Sequence, residues 1–150
     1  MWDKILITGA SGTLGNALLK EFNDLKVIPV TRETLNLRDV EKILPFVLDK
    51  NPGVILHVAA MTDVDACEKD PESAYLVNWI STKILAQGAR MLNIPMVYIS
   101  TDYVFGGERE TYLEWDTPSP ISHYGKSKYF GEREVMGLVP DFFIVRTSWV

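Results

Sequence analysis

A tyrosine and a lysine stand four residues apart in the segment YGKSKYFGERE, which runs from Tyr124 to Glu134. Residues at positions i and i+4 of a helix share one face, so both side chains can project into a single pocket. An isolated tyrosine has a pKa of about 10, and a neighbouring cation stabilises the phenolate and lowers that pKa. Lys128 is therefore predicted to lower the pKa of Tyr124, which would exchange a proton with a substrate. A surface tyrosine beside a solvated lysine is the alternative interpretation.

Two hydroxyl side chains, Ser100 and Thr101, begin the segment STDYVF at the end of an apolar run. Ligands of open α/β sheets bind beyond the carboxyl ends of the strands, so these hydroxyls lie where chemistry is expected. Thr101 would donate a hydrogen bond to a carbonyl oxygen that Tyr124 protonates. Thr101, Tyr124 and Lys128 form the predicted catalytic set.

Three glycines, Gly9, Gly12 and Gly15, lie in the segment TGASGTLG between the first apolar run and a helical pattern. Backbone N–H groups of such a turn and the positive end of the helix can hold the pyrophosphate of a dinucleotide. The order of strand, turn and helix favours a dinucleotide site over a merely tight turn. The spacing G-x-x-G-x-x-G resembles that of short-chain dehydrogenases/reductases and of their relatives that modify sugar nucleotides.

The cofactor preference depends on the residues after the second apolar run, Thr31-Arg32-Glu33. The corresponding position in many NAD-binding proteins is an acidic residue that binds the adenosine ribose, whereas an arginine can pair with the 2′-phosphate of NADP. We therefore expect NADPH or NADH as the cofactor and favour NADPH. A solvent-facing arginine at the edge of a loop is the alternative interpretation.

Five apolar runs of strand length recur along the chain, at residues 4–8, 26–30, 54–58, 96–100 and 142–147. Most of them lack in/out alternation, which is expected of strands buried on both faces of a parallel sheet. Helices are predicted over 13–22, over 38–50 with an interruption at Pro45, from near Pro71 to Met91, and from Tyr124. A long irregular stretch, 106–121, precedes the last helix, and loops of this length are often functional.

The alternation of strands and helices indicates an α/β fold, a Rossmann-like doubly wound parallel sheet with helices on both faces. The chain has 150 residues, of which 47% are hydrophobic, and this size suits one core. Residues 1–150 are therefore predicted to form a single NAD(P)-binding domain.

The composition argues against several other classes of protein. The net charge is −5 and no basic run is present, so no nucleic-acid partner is expected. A single cysteine, Cys67, excludes an internal disulfide, and without clustered Cys or His residues we expect no metal site. No apolar run approaches the roughly 18 residues of a transmembrane helix, and the N-terminus does not resemble a signal peptide. A cytoplasmic location without membrane contact is the expectation.

Together the motifs resemble the dTDP-4-dehydrorhamnose reductase family along the whole chain. The matching segments are TGASGTLG, AAMTDVDACEKDPESAYLVN at 59–78, STDYVFGG, the E-x-D-x-P pattern at 114–118, YGKSKYFGE and VRTSWV. The resemblance implies that NAD(P)H reduces the 4-keto group of a nucleotide-linked deoxysugar, as in the conversion of dTDP-4-dehydrorhamnose to dTDP-L-rhamnose. Tyr124 would be the proton donor. The expected partner is the nucleotide-sugar substrate, and formation of a homodimer stays open.

The resemblance also implies roles for individual residues. The cofactor contacts that it implies fall on Gly12, Thr13, Leu14, Ala60, Met61, Thr62, Tyr124 and Lys128. The sugar contacts that it implies fall on Thr101, Asp102 and Trp149.

Some positions depart from the family pattern or carry a second interpretation. His57 stands where asparagine is common, and we expect it to face the core. His123 is expected to lie in a loop, and Asn36 replaces an aspartate that often approaches the cofactor adenine. The acidic stretch 63–70 is expected to be a solvated turn leading into a helix. Asn78 either approaches the active site or is an ordinary residue of a helix face.

Members of this family continue for roughly as many residues again, and they build a substrate-binding lobe there. We therefore expect residues 1–150 to be the N-terminal part of a longer reductase. Binding energy from remote parts of a substrate positions the reacting atoms, so turnover by these residues alone is expected to be weak or absent.

Two other functions stay open at the level of sequence. A nucleotide-sugar epimerase or dehydratase shares the glycine turn and Y-x-x-x-K, although STDYVF and RTSWV argue against it. A regulatory dinucleotide-binding subunit resembling the beta subunit of methionine adenosyltransferase shares the fold and acts through a protein partner. The complete set of Thr101, Tyr124 and Lys128 favours an enzyme, because a regulatory subunit needs no tuned phenol.

Overall fold

A computed structural model describes residues 4–148, and five parallel strands form its central sheet. The strands are β1 (Ile5–Thr8), β2 (Val27–Val30), β3 (Val54–His57), β4 (Met96–Thr101) and β5 (Phe142–Thr147). They lie in the order β2-β1-β3-β4-β5, and every pair of neighbours is parallel. The five predicted strands are confirmed, and their ends differ from the predicted ends by about one residue.

Six helices connect and cover the strands. They are α1 (Thr13–Glu21), α2 (Val40–Lys50), α3 (Val64–Lys69), α4 (Pro71–Tyr75), α5 (Ser81–Leu92) and α6 (His123–Leu138). A π-helical turn at Leu76–Ile80 joins α4 to α5, and a 3₁₀ turn at Asp102–Val104 follows β4. Within residues 4–148, no helix has the length and apolar character needed to cross a membrane.

The helices lie on both faces of the sheet, as predicted. Helix α1 covers one face, where Leu18 packs against Ile7. Helices α2, α5 and α6 cover the opposite face and contribute Ile43, Leu85 and Val135 to the larger hydrophobic cluster. The doubly wound Rossmann-like fold is therefore confirmed.

The long helix predicted from Pro71 is interrupted. The π-helical turn at 76–80 adds one residue to a helical turn, so α4 and α5 are joined by a local widening rather than by a continuous α-helix. The preceding segment, predicted as a solvated turn, forms α3 instead. Asp63 caps this helix by accepting a hydrogen bond from the backbone N–H of Ala66 at 2.9 Å, and Asp70 caps α4 in the same way.

The predicted interruption at Pro45 is wrong, because α2 runs through this residue. Pro45 lies on the exposed side of the helix, where the ring has room and removes a single backbone hydrogen bond. The expectation of full burial is also wrong for β5. Phe143 is 63% exposed and Val145 is 44% exposed, because β5 is the last strand of this sheet and no helix among residues 4–148 covers that side of it.

The strand order creates a crevice between β1 and β3. The chain moves from β1 outward to β2, and it then returns past β1 to build β3, β4 and β5 on the other side. Right-handed crossovers therefore put α1 and α2 on opposite faces of the sheet. Ligands of such sheets bind beyond the carboxyl ends of the strands, where the connections diverge.

Helix α6 carries a fully buried carboxylate, Glu132, whose ion pair with the partly exposed Arg146 ties the helix to β5. The Glu132 carboxylate is 0% exposed, and it accepts hydrogen bonds from Arg146 Nε at 2.9 Å and Nη2 at 2.7 Å. The same guanidinium lies 5.1 Å from the centroid of the Phe105 ring and donates to the carbonyl oxygen of Glu114 at 3.2 Å. Arg146 thus connects α6 to the loop that follows β4.

The ion pair of the buried Glu132 carboxylate predicts a measurable loss of stability. Arg146→Met removes the hydrogen-bonded partner of this carboxylate, so the free energy of unfolding should fall by about 3–5 kcal/mol. The double variant Glu132→Leu/Arg146→Met should recover most of this loss, since an apolar pair can replace a buried ion pair. Urea unfolding measures both values. Lys42→Met, which removes an exposed ion pair with Asp39, should leave the urea midpoint nearly unchanged. If Arg146→Met were as stable as the unchanged chain, the prediction would be contradicted.

Candidate functional site

A cavity of about 850 Å³ opens at the carboxyl ends of the strands. Its walls come from the turn after β1, the loops after β2, β3 and β4, and the first turns of α6. This volume lies within the range of about 300–1,000 Å³ that is usual for ligand pockets. The cavity therefore has the position and the size of a dinucleotide site.

Most of the site residues predicted from sequence line this cavity. These are Gly9, Gly12, Thr13, Leu14, Arg32, Ala60, Thr62, Thr101, Asp102, Tyr124 and Lys128. Gly15 and Met61 lie outside the wall and support it from behind. Trp149 lies outside the described residues.

The glycine turn brings the backbone of β1 close to that of β3. Gly9 has a φ of 68°, and a Cβ atom at this position would lie 2.8 Å from the Cα and N atoms of Ala59. Gly12 donates its backbone N–H to the carbonyl oxygen of Gly9 at 3.0 Å. Gly15 packs against the same carbonyl group, which leaves no space for a side chain. The turn thus requires glycine for close approach at two of its three glycine positions.

The N-terminus of α1 faces the cavity at this turn. Gly12 is the N-cap residue, and among residues 4–148 no side chain caps this end of the helix. The first N–H groups of an α-helix have no partner within the helix, and they favour a negatively charged ligand. The backbone here can therefore hold the phosphates of a dinucleotide.

Two arginines line the cavity beyond β2. Arg32 was predicted from its position in the sequence, whereas Arg38 was missed. Thr31 and Thr34 hold this loop, since the backbone N–H of Thr31 donates to the Thr34 hydroxyl at 2.7 Å. Asn36 accepts a hydrogen bond from the backbone N–H of Arg38 at 3.1 Å. The second cation could have been suspected because it follows Arg32 within one short loop.

The buried histidine at the end of β3 belongs to a chain of hydrogen bonds. Thr8 Oγ1 accepts the backbone N–H groups of Val58 and Ala59, so its own proton goes to His57 Nδ1 at 2.7 Å. His57 Nε2 then donates to Thr82 Oγ1 at 2.8 Å. Burial, with a smaller contribution from the Lys128 charge, lowers the pKa of His57 to about 3, so the imidazole is neutral. The prediction that His57 faces the core is confirmed.

A buried asparagine in the π-helical turn holds the segment after β3. Asn78 Oδ1 accepts the backbone N–H of Met61 at 2.8 Å, and its Nδ2 donates to the Met61 carbonyl and to Ser127 Oγ at 3.0 Å. Ser127 Oγ in turn donates to the carbonyl oxygen of Tyr124 at 2.7 Å. Met61 therefore contributes its backbone to the site's support. Asn78 therefore approaches the predicted active site, because its side chain joins the wall of the cavity to α6.

The predicted catalytic side chains converge where β4 meets α6. Tyr124 is 8% exposed, Thr101 is 4% exposed and Lys128 is 2% exposed. Lys128 Nζ donates to the carbonyl oxygen of Ile99 at 2.6 Å and lies 4.2 Å from the centroid of the Tyr98 ring. The arrangement is a nearly enclosed pocket of hydroxyl and amine groups.

Asp102 forms the solvent side of this pocket. Thr101 Oγ1 donates to Asp102 Oδ1 at 3.1 Å and accepts the backbone N–H of Tyr103 at 3.2 Å. The ring of Tyr103 meets that of Tyr124 edge to face, with centroids 5.6 Å apart. These contacts hold the Thr101 hydroxyl beside the Tyr124 phenol.

Burial is the largest influence on the pKa values of Tyr124 and Lys128, the predicted catalytic pair. Burial raises the pKa of Tyr124, and the side-chain hydrogen bond with Thr101 offsets this only in part. Burial lowers the pKa of Lys128 to about 7, although the Glu132 carboxylate acts in the opposite direction. The prediction that Lys128 lowers the pKa of Tyr124 is therefore wrong for the chain without ligands, because burial raises this pKa and the hydrogen bond with Thr101, rather than Lys128, acts against the rise.

The residue before Tyr124 also differs from its prediction. His123 is the first residue of α6 rather than a loop residue. Its Nδ1 lies 3.0 Å from the Tyr75 hydroxyl, and its backbone N–H donates to a Glu68 carboxylate oxygen. Ser122 caps the helix by accepting the backbone N–H of Gly125 at 3.0 Å. The start of α6 is therefore fixed from several sides.

Metal ligands are not part of this arrangement. Within the described range 4–148, no group of three or more His, Cys, Asp or Glu side chains could hold a metal ion. The thiol of Cys67 is buried beneath the pocket, and burial raises its pKa to about 11.

Comparison with known proteins identifies the family of this chain. The family model described as "RmlD substrate binding domain" matches residues 3–150. A dTDP-4-dehydrorhamnose reductase of Burkholderia thailandensis is 38% identical over 149 residues, which are 98% of this chain and 50% of that protein. The beta subunit of methionine adenosyltransferase 2 of Xenopus tropicalis is 39% identical over 142 residues, which are 89% of this chain and 42% of that protein.

Solved structures agree with this result. The crystal structure of the dTDP-4-dehydrorhamnose reductase of Bacillus anthracis in complex with NADP is 41% identical, with a TM-score of 0.94. The match covers 99% of this chain and 54% of that chain, so the chain spans about half the length of the reductases that it matches. The predicted resemblance is confirmed: the chain belongs to the RmlD substrate binding domain family, together with dTDP-4-dehydrorhamnose reductases.

Proposed function

We propose that this chain is the dinucleotide-binding and catalytic part of an NADPH-dependent reductase, which reduces the 4-keto group of a nucleotide-linked deoxysugar such as dTDP-4-dehydrorhamnose. The observation that carries the proposal is the convergence of Thr101, Tyr124 and Lys128 on the cavity that begins at the glycine turn. A proton donor thus shares one enclosed space with a phosphate-binding helix end. This is the combination that a ketoreductase needs.

The residues around the cavity fit a dinucleotide. Gly9 and Gly12 line the cavity without side chains, so a pyrophosphate could approach their backbone, and the uncapped start of α1 would supply N–H donors. Arg32 and Arg38 would pair with a 2′-phosphate, which favours NADPH over NADH. Ala60 and Thr62 would border the nicotinamide side. The NADP complex of the relative from Bacillus anthracis supports this assignment.

The raised pKa of Tyr124 suits a proton donor in the reducing direction. Bound NADPH would supply a hydride to the carbonyl carbon. Tyr124 stays protonated near neutral pH and would transfer its phenolic proton to the carbonyl oxygen as negative charge develops there. Thr101 would redirect its hydroxyl from Asp102 to the same oxygen and stabilise that charge.

Residues 1–150 provide more of the proposed contacts to the cofactor than of those to the sugar. Thr101 and Asp102 are the proposed substrate contacts at the mouth of the cavity, and the chain covers about half the length of the reductases it matches. We therefore assign these residues to the N-terminal part of a longer reductase. A substrate-binding lobe beyond them would hold most of the nucleotide sugar, so efficient turnover would require it.

A regulatory role is the second candidate function. The similarity to a beta subunit of methionine adenosyltransferase is as strong in identity as the similarity to the reductases. A regulatory subunit would bind dinucleotide and alter another enzyme without consuming NADPH. The buried Thr101, Tyr124 and Lys128 set favours the reductase, because binding alone requires no enclosed proton donor.

Fluorescence titration with NADPH, followed by addition of dTDP-4-dehydrorhamnose, tests the proposal. We expect saturable binding and a loss of NADPH absorbance that depends on the sugar. This loss should be slow for residues 1–150 and faster for a protein that includes a second lobe. Binding without any oxidation by either protein would favour the regulatory function.

Removing the phenolic hydroxyl should separate binding from chemistry. We expect Tyr124→Phe to retain NADPH binding and to lower the rate of sugar-dependent NADPH oxidation by about 100-fold or more, which is the usual loss of a general acid. Tyr129→Phe on the same helix is the matched control and should keep the rate. An undiminished rate in Tyr124→Phe would remove this residue from the mechanism.

Reversing the charge at Arg32 should change the cofactor preference. Arg32→Asp would repel a 2′-phosphate and accept hydrogen bonds from a ribose, so the ratio of NADPH to NADH affinity should fall by about tenfold or more. Competitive fluorescence titrations give this ratio. Arg133→Asp, which changes an exposed arginine of α6 outside the cavity, should leave it constant. If the ratio of NADPH to NADH affinity were the same in both variants, Arg32 would be a solvated loop residue without a role in cofactor preference.

The lowered pKa of Lys128 predicts how stability depends on pH. The pKa is about 7 in the folded chain, below the usual lysine value of 10.5, so the unfolded chain binds more protons between these pH values. The free energy of unfolding should therefore rise with pH in this window, relative to Lys128→Met, which lacks the titrating group. Urea unfolding of both proteins at several pH values measures the difference. A difference that is constant from pH 7 to 10 would contradict the lowered pKa.

A further inference from the structure

One buried hydroxyl at the site has no partner. Ser100 is 3% exposed, and its Oγ atom is the single buried side-chain nitrogen or oxygen among the described residues that makes no hydrogen bond. Buried polar groups in folded proteins are nearly always hydrogen-bonded, and an orphaned group reduces stability. Ser100 also lines the cavity. The unsatisfied atom thus belongs to a residue of the cavity wall.

The position of Ser100 is defined by its two neighbours in β4. The carbonyl oxygen of Ile99 accepts a hydrogen bond from Lys128 Nζ, and Thr101 lines the cavity together with Tyr124. Along β4, Ser100 therefore lies between Ile99, which binds the Lys128 amine, and Thr101, which shares the cavity wall with the Tyr124 phenol.

Side chains alternate between the faces of a strand, so Ser100 and Tyr98 are on the same face. The Tyr98 ring contacts the Lys128 amine, with Nζ 4.2 Å from the ring centroid. This is the face that α6 covers. The Ser100 hydroxyl consequently shares the α6 side of the sheet with the Lys128 amine.

The Lys128 amine and the Ser100 hydroxyl have complementary hydrogen-bonding capacities. A lysine amine in its charged form only donates hydrogen bonds, and Lys128 has one partner, the Ile99 carbonyl, among residues 4–148. A serine hydroxyl both donates and accepts. A ligand with two adjacent hydroxyl groups, such as a ribose, can satisfy both at once.

We infer that Ser100 is a further cofactor contact, whose hydroxyl binds a hydroxyl group of the nicotinamide ribose beside Lys128. The inference rests on the proposed function, since it requires that the cavity takes a nicotinamide dinucleotide. The apo chain leaves Ser100 Oγ unsatisfied, and the bound ribose supplies its partner. The residue therefore lowers the stability of the free chain and strengthens binding of the cofactor.

This arrangement predicts opposite effects of one substitution on stability and on affinity. Ser100→Ala removes the orphaned hydroxyl, so the Tm of the chain without ligands should rise by a few degrees. The same change removes a contact to the ribose, so the Kd for NADPH should rise roughly fivefold to tenfold. A serine with a purely structural partner would lower the Tm when replaced and would leave the Kd unchanged.

Ser81→Ala is the matched control. Ser81 is fully buried, but its hydroxyl donates to the carbonyl oxygen of Val77, and the residue does not line the cavity. Its replacement should lower the Tm and leave the Kd for NADPH constant. Adenosine 2′,5′-bisphosphate, which lacks the nicotinamide ribose, is the second control and should bind the unchanged chain and Ser100→Ala equally.

Thermal unfolding and fluorescence titration of the three proteins decide between the outcomes. A higher Tm with weaker NADPH binding and constant bisphosphate binding supports the inference. NADPH binding that is equal in the unchanged chain and in Ser100→Ala overturns the role of Ser100 alone, and so does a lower Tm for Ser100→Ala. An unchanged chain that does not bind NADPH overturns the proposed function, and the role of Ser100 falls with it.

Discussion

The close approach of β1 to β3 is the constraint on which the rest of the site depends. Because β2 lies on the far side of β1, the connections after β1 and β3 diverge above two adjacent strands. The turn at Gly9 passes so close to Ala59 that any side chain at Gly9 would collide with the backbone there. This contact brings the start of α1 next to the segment after β3, so a phosphate site and a nicotinamide site can share one cavity.

A second constraint is the buried polar network behind that cavity. The hydrogen bonds run from Thr8 through His57 to Thr82, whose hydroxyl donates to the carbonyl oxygen of Asn78. The Asn78 side chain then holds the backbone of Met61 and the hydroxyl of Ser127. Every polar side chain in this network has a hydrogen-bond partner, and fully satisfied buried networks are rigid. The wall of the cavity and the catalytic helix are therefore held by the same set of contacts.

Burial also explains the electrostatics of the catalytic pair. Tyr124 and Lys128 are largely buried where α6 packs on β4 and the 3₁₀ turn, so burial shifts the pKa of each towards its neutral form. A neutral phenol is the form required to donate a proton, and a lysine with a pKa of about 7 is poised to change its charge when a ligand arrives. The Glu132 carboxylate, four residues after Lys128, is committed to Arg146 at the same time.

Much of this site could be predicted from sequence because its residues fall at fixed positions relative to the strands. The glycine turn follows β1, Thr101 ends β4, and Tyr124 and Lys128 share a helix face, so their convergence follows from the parallel sheet. The pKa of Tyr124 could not be predicted, since burial by distant segments determines it.

Other features depend on contacts between residues far apart in sequence. The role of Asn78 depends on a π-helical turn that no periodicity indicates, and its partners Met61 and Ser127 are distant along the chain. The exposed side of β5 likewise depends on what packs against it, because an edge strand and a central strand can have the same apolar sequence.

A crystal structure of this chain with NADPH would test the account most directly. We expect the pyrophosphate at the N-terminus of α1 and the nicotinamide ribose within hydrogen-bond distance of Lys128, with the nicotinamide ring facing Tyr124. A dinucleotide bound elsewhere, or a cavity that stays empty of NADPH at saturating concentration, would contradict the assignment of this cavity as the cofactor site.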